Sequence, residues 1–351
     1  MHQLTSHASV NHHLYFLNRS FTPDGKTVVF TSYRDGHANL YELSFPDGPI
    51  RQLTEGQGLH PFSACVSHSG EEIFFTREGS VYGFNRGTLE EVCLARFSNA
   101  QLAECNLSGT GDWIVTAIRQ DGHAGIAIVR TDGRESEVLL RWPKTVVHPQ
   151  FHPLDDNLIE FASDPAPRMH VIRRDSGRTE CLYVHGNDEF IIHETFLGRT
   201  GDLVFAVWPF TLKQLHWKTR QISTLAEFNA WHIAPDAAGK VLLCDTNHPD
   251  IGIQRVEVSS GKRQTVCFPK SSSQGSQWKK SRYALAEDWA RAAAQQDLER
   301  KSNLSWMEMK TDTVYGPQWT HPHPSWHPKE THVIFTSDTS GFPQVYVAKI
   351  P

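Results

Sequence analysis

The sequence predicts an all-β protein, a seven-bladed β-propeller, and two observations carry this prediction. The first is a repeated unit in which a Pro/Asp/Gly turn is followed by an apolar strand, a polar turn and another strand, the pattern of a β-meander. The second is the spacing of these units, which recur at roughly 40 to 45 residues, the period of propeller blades. We therefore expect residues 1–351 to form a single propeller domain.

The repeat is clearest at the two ends of the chain. Residues 20–32 (SFTPDGKTVVFTS) recur as residues 325–337 (SWHPKETHVIFTS). Less regular copies lie between them, with their first turns at Gly70, Gly111, Asp156, Gly201 and Gly239. The likeness of the first and last copies suits a ring that is closed by joining the two ends, which leaves no free sheet edge.

One insertion, at residues 271–312, interrupts the period between the sixth and seventh blades. Ala, Leu, Glu, Gln and Arg dominate its second part, so that part is predicted to be helical. A long insertion in one loop can form the wall or lid of an active site. A helix that packs on the propeller rim without a part in the chemistry is an equal alternative.

Composition excludes several classes of partner. The net charge is −5 and no Lys/Arg run is present, so neither nucleic acid nor an anionic membrane is expected as a partner. No apolar stretch approaches the ~20 residues that span a bilayer, and the first residues lack the features of a signal peptide. The six cysteines are scattered and are expected to be reduced thiols in a cytoplasmic protein. The sequence carries no signal for an oligomeric state.

The chain contains 20 histidines, and four of them fall at nearly the same step of the repeat. These four, which precede the first turn of their blades by seven or eight residues, are His148, His193, His232 and His323. This step begins the innermost strand of a blade, so residues from different blades should converge near one mouth of the central channel. A single such histidine is usually a packing residue, whereas several converging imidazoles indicate a metal or catalytic cluster.

The stretch from Gln318 to His323 brings an amide oxygen close to two imidazoles. In an extended segment alternate residues share a face, so His321 and His323 should point the same way. Gln318 can join them if the chain bends, for which Pro317 and Pro322 are suited. Imidazole and carbonyl-type oxygen together suit a borderline divalent ion such as Mn, Zn, Fe or Ni. A stiff turn with solvated imidazoles is the alternative interpretation.

At these residues the chain resembles the oligogalacturonate lyase family, seven-bladed propeller enzymes of intracellular pectin breakdown. The likeness is strongest from residue 318 to residue 350, where the pattern Gln-x-x-His-Pro-His-Pro-Ser occurs. Residues 14–16 (LYF), 21–26 (FTPDGK) and 52–56 (QLTEG) also fit the family pattern. The resemblance covers nearly the whole chain, although the second and third blades match only in outline.

The resemblance implies a divalent metal ion, most simply Mn²⁺, and a set of site residues. The implied metal ligands are His232, Gln318, His321 and His323. The pair His193-Glu194 is similar to the family's catalytic His-Glu, and Arg168-Met169 is similar to its active-site Arg-Met. The family's His-Glu-Gly-Pro stretch before Arg-Met is absent here, and the corresponding region, residues 161–167, is shorter. The resemblance therefore does not define the sugar subsites of this chain.

The family reaction is β-elimination, in which a uronate loses its C5 proton and the C4–O bond breaks. A divalent ion can neutralise charge that develops on the carboxylate, and a neutral histidine can take the proton near pH 7. We expect His193 to be this base and Glu194 to point to the opposite face of its strand. Arg168 remains protonated and should bind the carboxylate or stabilise its charge.

The predicted function is therefore that of an enzyme, a metal-dependent carbon–oxygen lyase. Its expected substrate is a small acidic oligosaccharide, oligogalacturonate or digalacturonate, and its product an unsaturated uronate. One alternative is a lyase or hydrolase that acts on another uronate-containing oligosaccharide, although hydrolysis usually needs two inward carboxylates. The other alternative is a non-catalytic propeller that binds or scaffolds other molecules.

Overall fold

A computed structural model describes residues 1–186, 188–247, 249–273 and 318–351. These residues form seven sheets, each with four antiparallel strands, and the predicted seven-bladed β-propeller is confirmed. The predicted helical insertion falls almost entirely on residues 274–312, which lie outside the described residues. Within the described ranges, no helix is both long and apolar enough to span a membrane.

The blades follow one another along the chain. The first blade contains β2 (Asn11–His13), β3 (Thr27–Ser32), β4 (Asn39–Ser44) and β5 (Ile50–Gln52). The second contains β6 (Cys65–Val66), β7 (Glu72–Arg77), β8 (Ser80–Asn85) and β9 (Glu91–Arg96). The third contains β10 (Ala100–Leu107), β11 (Trp113–Gln120), β12 (His123–Arg130) and β13 (Ser136–Trp142). The fourth blade contains β14 (Val147–His152), β15 (Asp155–Ala162), β16 (Met169–Arg173) and β17 (Thr179–Cys181). The fifth contains β18 (Ile191–Phe196), β19 (Leu203–Val207), β20 (Thr211–Leu215) and β21 (Ile222–Glu227). The sixth contains β22 (Ala230–Pro235), β23 (Val241–Thr246), β24 (Ile253–Glu257) and β25 (Arg263–Cys267).

The seventh blade joins the two ends of the chain, as the repeat predicts. It contains β26 (Ser325–Trp326), β27 (His332–Ser337) and β28 (Gln344–Lys349), and its outermost strand is β1 (His2–Gln3). The side chain of Thr5 donates a hydrogen bond to Gln344 Oε1 at 2.7 Å beside this junction. Closure by β1 covers the edge of β28, which would otherwise be open to pairing with another chain.

Apolar residues fill the spaces between successive blades. Every junction between neighbouring blades of the described structure, including that of the seventh with the first, has its own cluster of buried hydrophobic side chains. Between the sixth and seventh blades, for example, Leu243 and Ile253 pack with Val333 and Phe335. Since strands buried on both faces are rigid supports, the side chains at the inner ends of the blades are held in fixed positions.

Candidate active site

Four inner strands are interrupted at the same place by a β-bulge, β10 at Ala103-Glu104 and three others at histidines that the repeat had indicated. In β14, β18 and β22 the pairing with the next strand skips two residues, namely His148-Pro149, His193-Glu194 and Trp231-His232. His148 and His193 therefore occupy the first bulge position, but His232 occupies the second. This difference explains why His232 lies seven residues from its turn and the other two lie eight, so the four predicted histidines do not share one identical step.

In three blades the first bulge position has an unusual backbone conformation. His148, His193 and His323 have φ angles of 55°, 52° and 47°, in the left-handed region that non-glycine residues seldom adopt. In the seventh blade Thr336 N donates to Pro322 O at 2.9 Å and Ser325 pairs with Ile334, so His323 lies in an equivalent interruption. Strained backbone of this kind is concentrated at functional sites, and here it directs three imidazoles from three blades.

Four of the predicted residues come together as one group of imidazoles. This histidine cluster consists of His193, His232, His321 and His323, whose side chains are all buried. The ring centroid of His232 lies 4.1 Å from that of His193 and 3.9 Å from that of His323. The ring of His321 is 5.6 Å from His232 and 5.9 Å from His323. The strands of three blades therefore bring together residues far apart in the sequence.

Asp245, on β23, holds two members of the cluster. Its carboxylate accepts hydrogen bonds from His232 N at 2.6 Å and from His232 Nδ1 at 2.8 Å, and another from His323 N at 3.1 Å. Burial raises the pKa of Asp245 to about 7, against the backbone hydrogen bonds from His232 and His323, which lower it. A carboxylate on Nδ1 fixes the tautomer of His232 and leaves Nε2 as the acceptor, the arrangement usual for a metal-binding histidine.

The cluster is chemically suited to a borderline divalent ion, with one exception in its geometry. His232 Nε2 is buried and has no hydrogen-bond partner among the described residues. His321 differs, because Trp231 Nε1 donates to its Nδ1 at 3.1 Å, which puts the proton of the neutral ring on Nε2. In the described ranges, no three His, Cys, Asp or Glu residues are arranged to hold a metal as they stand. The donor types fit such an ion, and the ring of His321 would have to reorient to bind it.

The surroundings of His193 keep this imidazole neutral and fix its tautomer. Its Nδ1 donates to the carbonyl oxygen of Trp231 at 2.7 Å, so Nε2 carries the lone pair. Burial lowers the pKa of His193 well below its usual value, and the neighbouring His232, His148 and Arg168 lower it further. A neutral ring with one oriented lone pair has the form that a general base requires.

Arg168 lies between two acidic side chains. Its Nε donates to both carboxylate oxygens of Glu194, at 3.0 and 3.1 Å, and Nη1 donates to Asp164 Oδ2. Arg168 and Glu194 are almost fully buried. Because Glu194 directly follows His193, this ion pair lies next to the cluster. Burial lowers the pKa of His148 and that of His193, and the charge of Arg168 lowers both further. Glu194 was predicted to point away from His193, and its side chain binds Arg168.

Gln318 is the predicted ligand whose contribution the structure leaves open. Its backbone belongs to the short 3-10 helix Gln318–Thr320, directly before His321. Its side chain lies outside the described part of the chain, so its role as a ligand stays a prediction.

Aromatic residues that the sequence patterns did not indicate line one side of the cluster. After β2 the chain places the ring of Phe16 within 5.5 Å of His148, His193 and His232, measured between centroids. The hydroxyl of neighbouring Tyr15 hydrogen-bonds to His148 Nε2 at 3.0 Å. Two adjacent aromatic residues outside any strand were the available signal. Asp245 was also missed, although a carboxylate inside the apolar run VLLCDT was visible in the sequence.

Comparison with known proteins supports the family expected from the sequence. No family model matches the chain. Oligogalacturonate lyase of Dickeya dadantii (strain 3937) is 22% identical over 99% of this chain and 92% of its own length. The chain resembles oligogalacturonate lyases over nearly its full length. The oligogalacturonide lyase of Pectobacterium atrosepticum is likewise 22% identical, with the same coverage.

The fold is also that of an oligogalacturonate lyase of known structure. An oligogalacturonate lyase in complex with manganese superposes with a TM-score of 0.81 and 20% identity, covering 99% of this chain and 92% of that one. The expected resemblance is therefore confirmed in sequence and in fold. The full-length relatives are enzymes of the lyase class, as the prediction of an enzyme requires.

Proposed function

We propose that this protein is a metal-dependent lyase that cleaves oligogalacturonate, and digalacturonate in particular, by β-elimination. The observation that carries the proposal is the histidine cluster, built from three blades in a chain whose full-length relatives are oligogalacturonate lyases. The product is an unsaturated uronate, formed when the C5 proton is removed and the C4–O bond breaks.

His232, Gln318, His321 and His323 would hold the divalent ion. The metal found in the related lyase structure is manganese, and the imidazole donors of this chain suit Mn²⁺ among other borderline ions. A divalent ion bound there supplies positive charge that stabilises the charge developing on the substrate carboxylate. Asp245 supports this site by fixing the ring of His232 and the backbone of His323.

His193 is the proposed base. Its Nε2 lone pair takes the proton from C5, the electrons of the C–H bond form the double bond between C4 and C5, and the oxygen on C4 departs. This role needs a neutral imidazole, and burial together with neighbouring positive charge keeps the pKa of His193 low. Its hydrogen bond to Trp231 O holds the ring in one tautomer during the transfer.

Arg168 is the proposed binding group for the substrate carboxylate. Guanidinium binds carboxylates in a planar, two-pronged geometry, and this one stands beside the base. Because Arg168 remains protonated at ordinary pH, it can orient the uronate without exchanging protons with it.

The acidic residues near the cluster favour elimination over hydrolysis. Hydrolysis of a glycosidic bond normally needs two carboxyl groups that face the bond. Here Asp164 and Glu194 are bound to Arg168, Asp245 to His232 and Glu104 to the backbone of His148. Glu160 is completely buried. The proposed base is instead an imidazole, which suits the removal of a carbon-bound proton.

Product analysis after incubation with digalacturonate, other diuronates and neutral digalactose tests the proposed function. We expect products from digalacturonate whose summed mass equals that of the substrate, because elimination adds no water. The reaction should need manganese and stop with chelator. Products whose summed mass exceeds that of the substrate by one water would show a hydrolase. Cleavage of a different diuronate, and not of digalacturonate, would reassign the substrate.

A further inference from the structure

The Arg168 guanidinium is fixed in direction by two carboxylates at one edge of the histidine cluster. Nε donates to both carboxylate oxygens of Glu194, while Nη1 donates to Asp164. The side chains of Arg168 and Glu194 are only 2% and 0% exposed. A buried ion pair of this kind often adds little net stability, because removing two charges from water is costly. Its geometry, however, restricts the guanidinium to one orientation.

Glu194 is covalently tied to the proposed base, because it is the next residue of the same bulge. His193 is held through Nδ1 by Trp231 O, and Glu194 is held through its carbonyl oxygen by Gln150 Nε2 at 3.0 Å. The two side chains leave this bulge in different directions, one to the cluster and one to Arg168. Any shift of the bulge would therefore move the base and the guanidinium together.

The proposed reaction makes this linkage chemically useful. In a uronate the carboxylate is bonded directly to C5, the carbon that loses its proton. The group that binds the carboxylate and the group that takes the proton must therefore address neighbouring atoms. Misplacement by about 1 Å can lower the rate of such a reaction by ~100-fold.

We propose that Glu194, together with Asp164, is a positioning residue that orients Arg168 toward the carboxylate of the substrate. One β-bulge thereby fixes the position of the base and, through Glu194, the orientation of the group that binds the carboxylate. The inference rests on the proposed function, since it assumes an acidic sugar at the cluster. It adds a role for the two acidic residues, neither of which touches the substrate.

The chain offers a matched control in Glu42, on β4 of the first blade. Its carboxylate accepts hydrogen bonds from Arg51 Nε at 2.9 Å and from Arg86 Nε at 2.8 Å, so Glu42 is also an acid bound to arginine. Glu42→Gln and Glu194→Gln make the same change of shape and charge, but only Glu194→Gln removes a negative charge from Arg168.

The test measures binding and turnover of digalacturonate in the full-length protein loaded with manganese. Equilibrium affinity is determined by calorimetry in a His193→Ala background, in which turnover is blocked, and KM and kcat are determined with His193 present. Glu194→Gln is expected to weaken binding and raise KM by about tenfold or more, whereas Glu42→Gln should change neither. In an Arg168→Met background Glu194→Gln should have no further effect, because its partner is gone.

Each result decides one question. A Glu194→Gln variant with unchanged affinity, or one that loses as much affinity without Arg168, would overturn the positioning role. Asp164→Asn, at the more exposed end of the network, provides a second variant with the same expected direction if Glu194→Gln does not fold. Binding that depends on both residues without any turnover would retain this inference and reject the proposed reaction, and a protein that does not bind digalacturonate would contradict both.

Discussion

At the scale of single residues, His193 is prepared as a base by its environment and not by an acidic partner. A histidine paired with a carboxylate gains basicity, but Nδ1 of His193 bonds to a neutral carbonyl oxygen, Trp231 O. Burial and the nearby positive charge of Arg168 lower its pKa. The imidazole is therefore unprotonated throughout the neutral range, and its Nε2 lone pair is not blocked by a proton.

Replacing His193 should remove turnover and leave the metal site intact. We expect His193→Ala to lower kcat by roughly 10²- to 10⁴-fold, the usual contribution of a general base, with manganese content unchanged. The measurements are the initial rate with digalacturonate and the bound metal by elemental analysis. His123→Ala, at the exposed start of β12 in the third blade, is the control, and a His193→Ala variant with normal kcat would disprove the role.

Asp245 should influence metal affinity through the two histidines that it holds. Asp245→Asn removes the negative charge behind His232, and such changes typically weaken metal binding by about 10- to 100-fold. A competition titration with manganese measures the effect. Asp202 forms a similar pair with His216 Nδ1 at 3.1 Å, away from the cluster, so Asp202→Asn should bind metal normally. Equal affinities in the two variants would contradict the proposed ligand His232.

At the scale of elements, the repeat was readable in the sequence but the bulges were not. Turn glycines and apolar strands recur often enough to reveal the blades. A bulge adds one unpaired residue to a strand. In the sequence its only trace is the distance from the histidine to the first turn of the blade, which is seven or eight residues. The side-chain contacts of His193 and Glu194 depend on that bulge, so their partners could not be derived from strand alternation.

A second set of histidines serves the contacts between blades. Three histidines, His68, His152 and His327, lie at or just after the ends of inner strands, at the opposite end from the cluster. Each ring covers the turn glycine of the next blade, respectively Gly111, Gly201 and Gly25. His68 Nε2 bonds to Ser108 O at 2.9 Å, and His327 Nε2 bonds to Gly25 O at 3.2 Å. The high histidine content thus reflects two repeated roles, of which the sequence indicated one.

The contact of His327 with Gly25 joins the last blade to the first and should be sensitive to a single methyl group. A Cβ on Gly25 would lie 2.5 Å from His327 Nε2, at a φ of 72°. Gly36 has a similar φ of 83° but open space around it, so Gly36→Ala carries only the backbone strain of about 1 kcal/mol. Gly25→Ala should lower the free energy of unfolding by at least about 1 kcal/mol more than Gly36→Ala, because the added methyl group overpacks the contact with His327. Urea unfolding compares the two, and equal losses would show that the contact is loose.

At the scale of the whole molecule, the first two blades bury further histidines that make the fold sensitive to acid. Burial lowers the pKa of His12 to about 3 and that of His60 to about 4. Both lie near 6.5 in an unfolded chain, so below that pH the unfolded state binds more protons than the folded state. Stability is therefore full above pH 6.5 and falls as the pH decreases toward the folded values.

We expect the free energy of unfolding to fall below pH 6.5 by about 1.4 kcal/mol per pH unit for each such histidine. Urea unfolding at a series of pH values from 7 to 5 measures this slope. His60→Gln removes one titrating group and should reduce the slope by the contribution of one histidine. A stability that is constant over this range would contradict the neutral, buried state of these side chains.

The architecture could be predicted from the sequence because a propeller repeats its local signals in every blade. The convergence of His148, His193, His232 and His323 also followed from the repeat, since nearly equivalent positions of a ring approach its axis. His321 followed from the separate pattern of residues 318–323. Long-range partners did not follow. Asp245 and Phe16 meet the cluster through tertiary packing alone, and neither belongs to the pattern that identified the histidines.

The measurement that tests the central claim most directly is ultraviolet absorbance during incubation of the purified protein with digalacturonate. Manganese is present at first, and chelator is added during the reaction. Metal-dependent β-elimination predicts a steady rise from the conjugated, unsaturated uronate that stops with the chelator and resumes with excess manganese. A protein that binds manganese but gives no rise, or a rise that continues unchanged in chelator, would contradict the account.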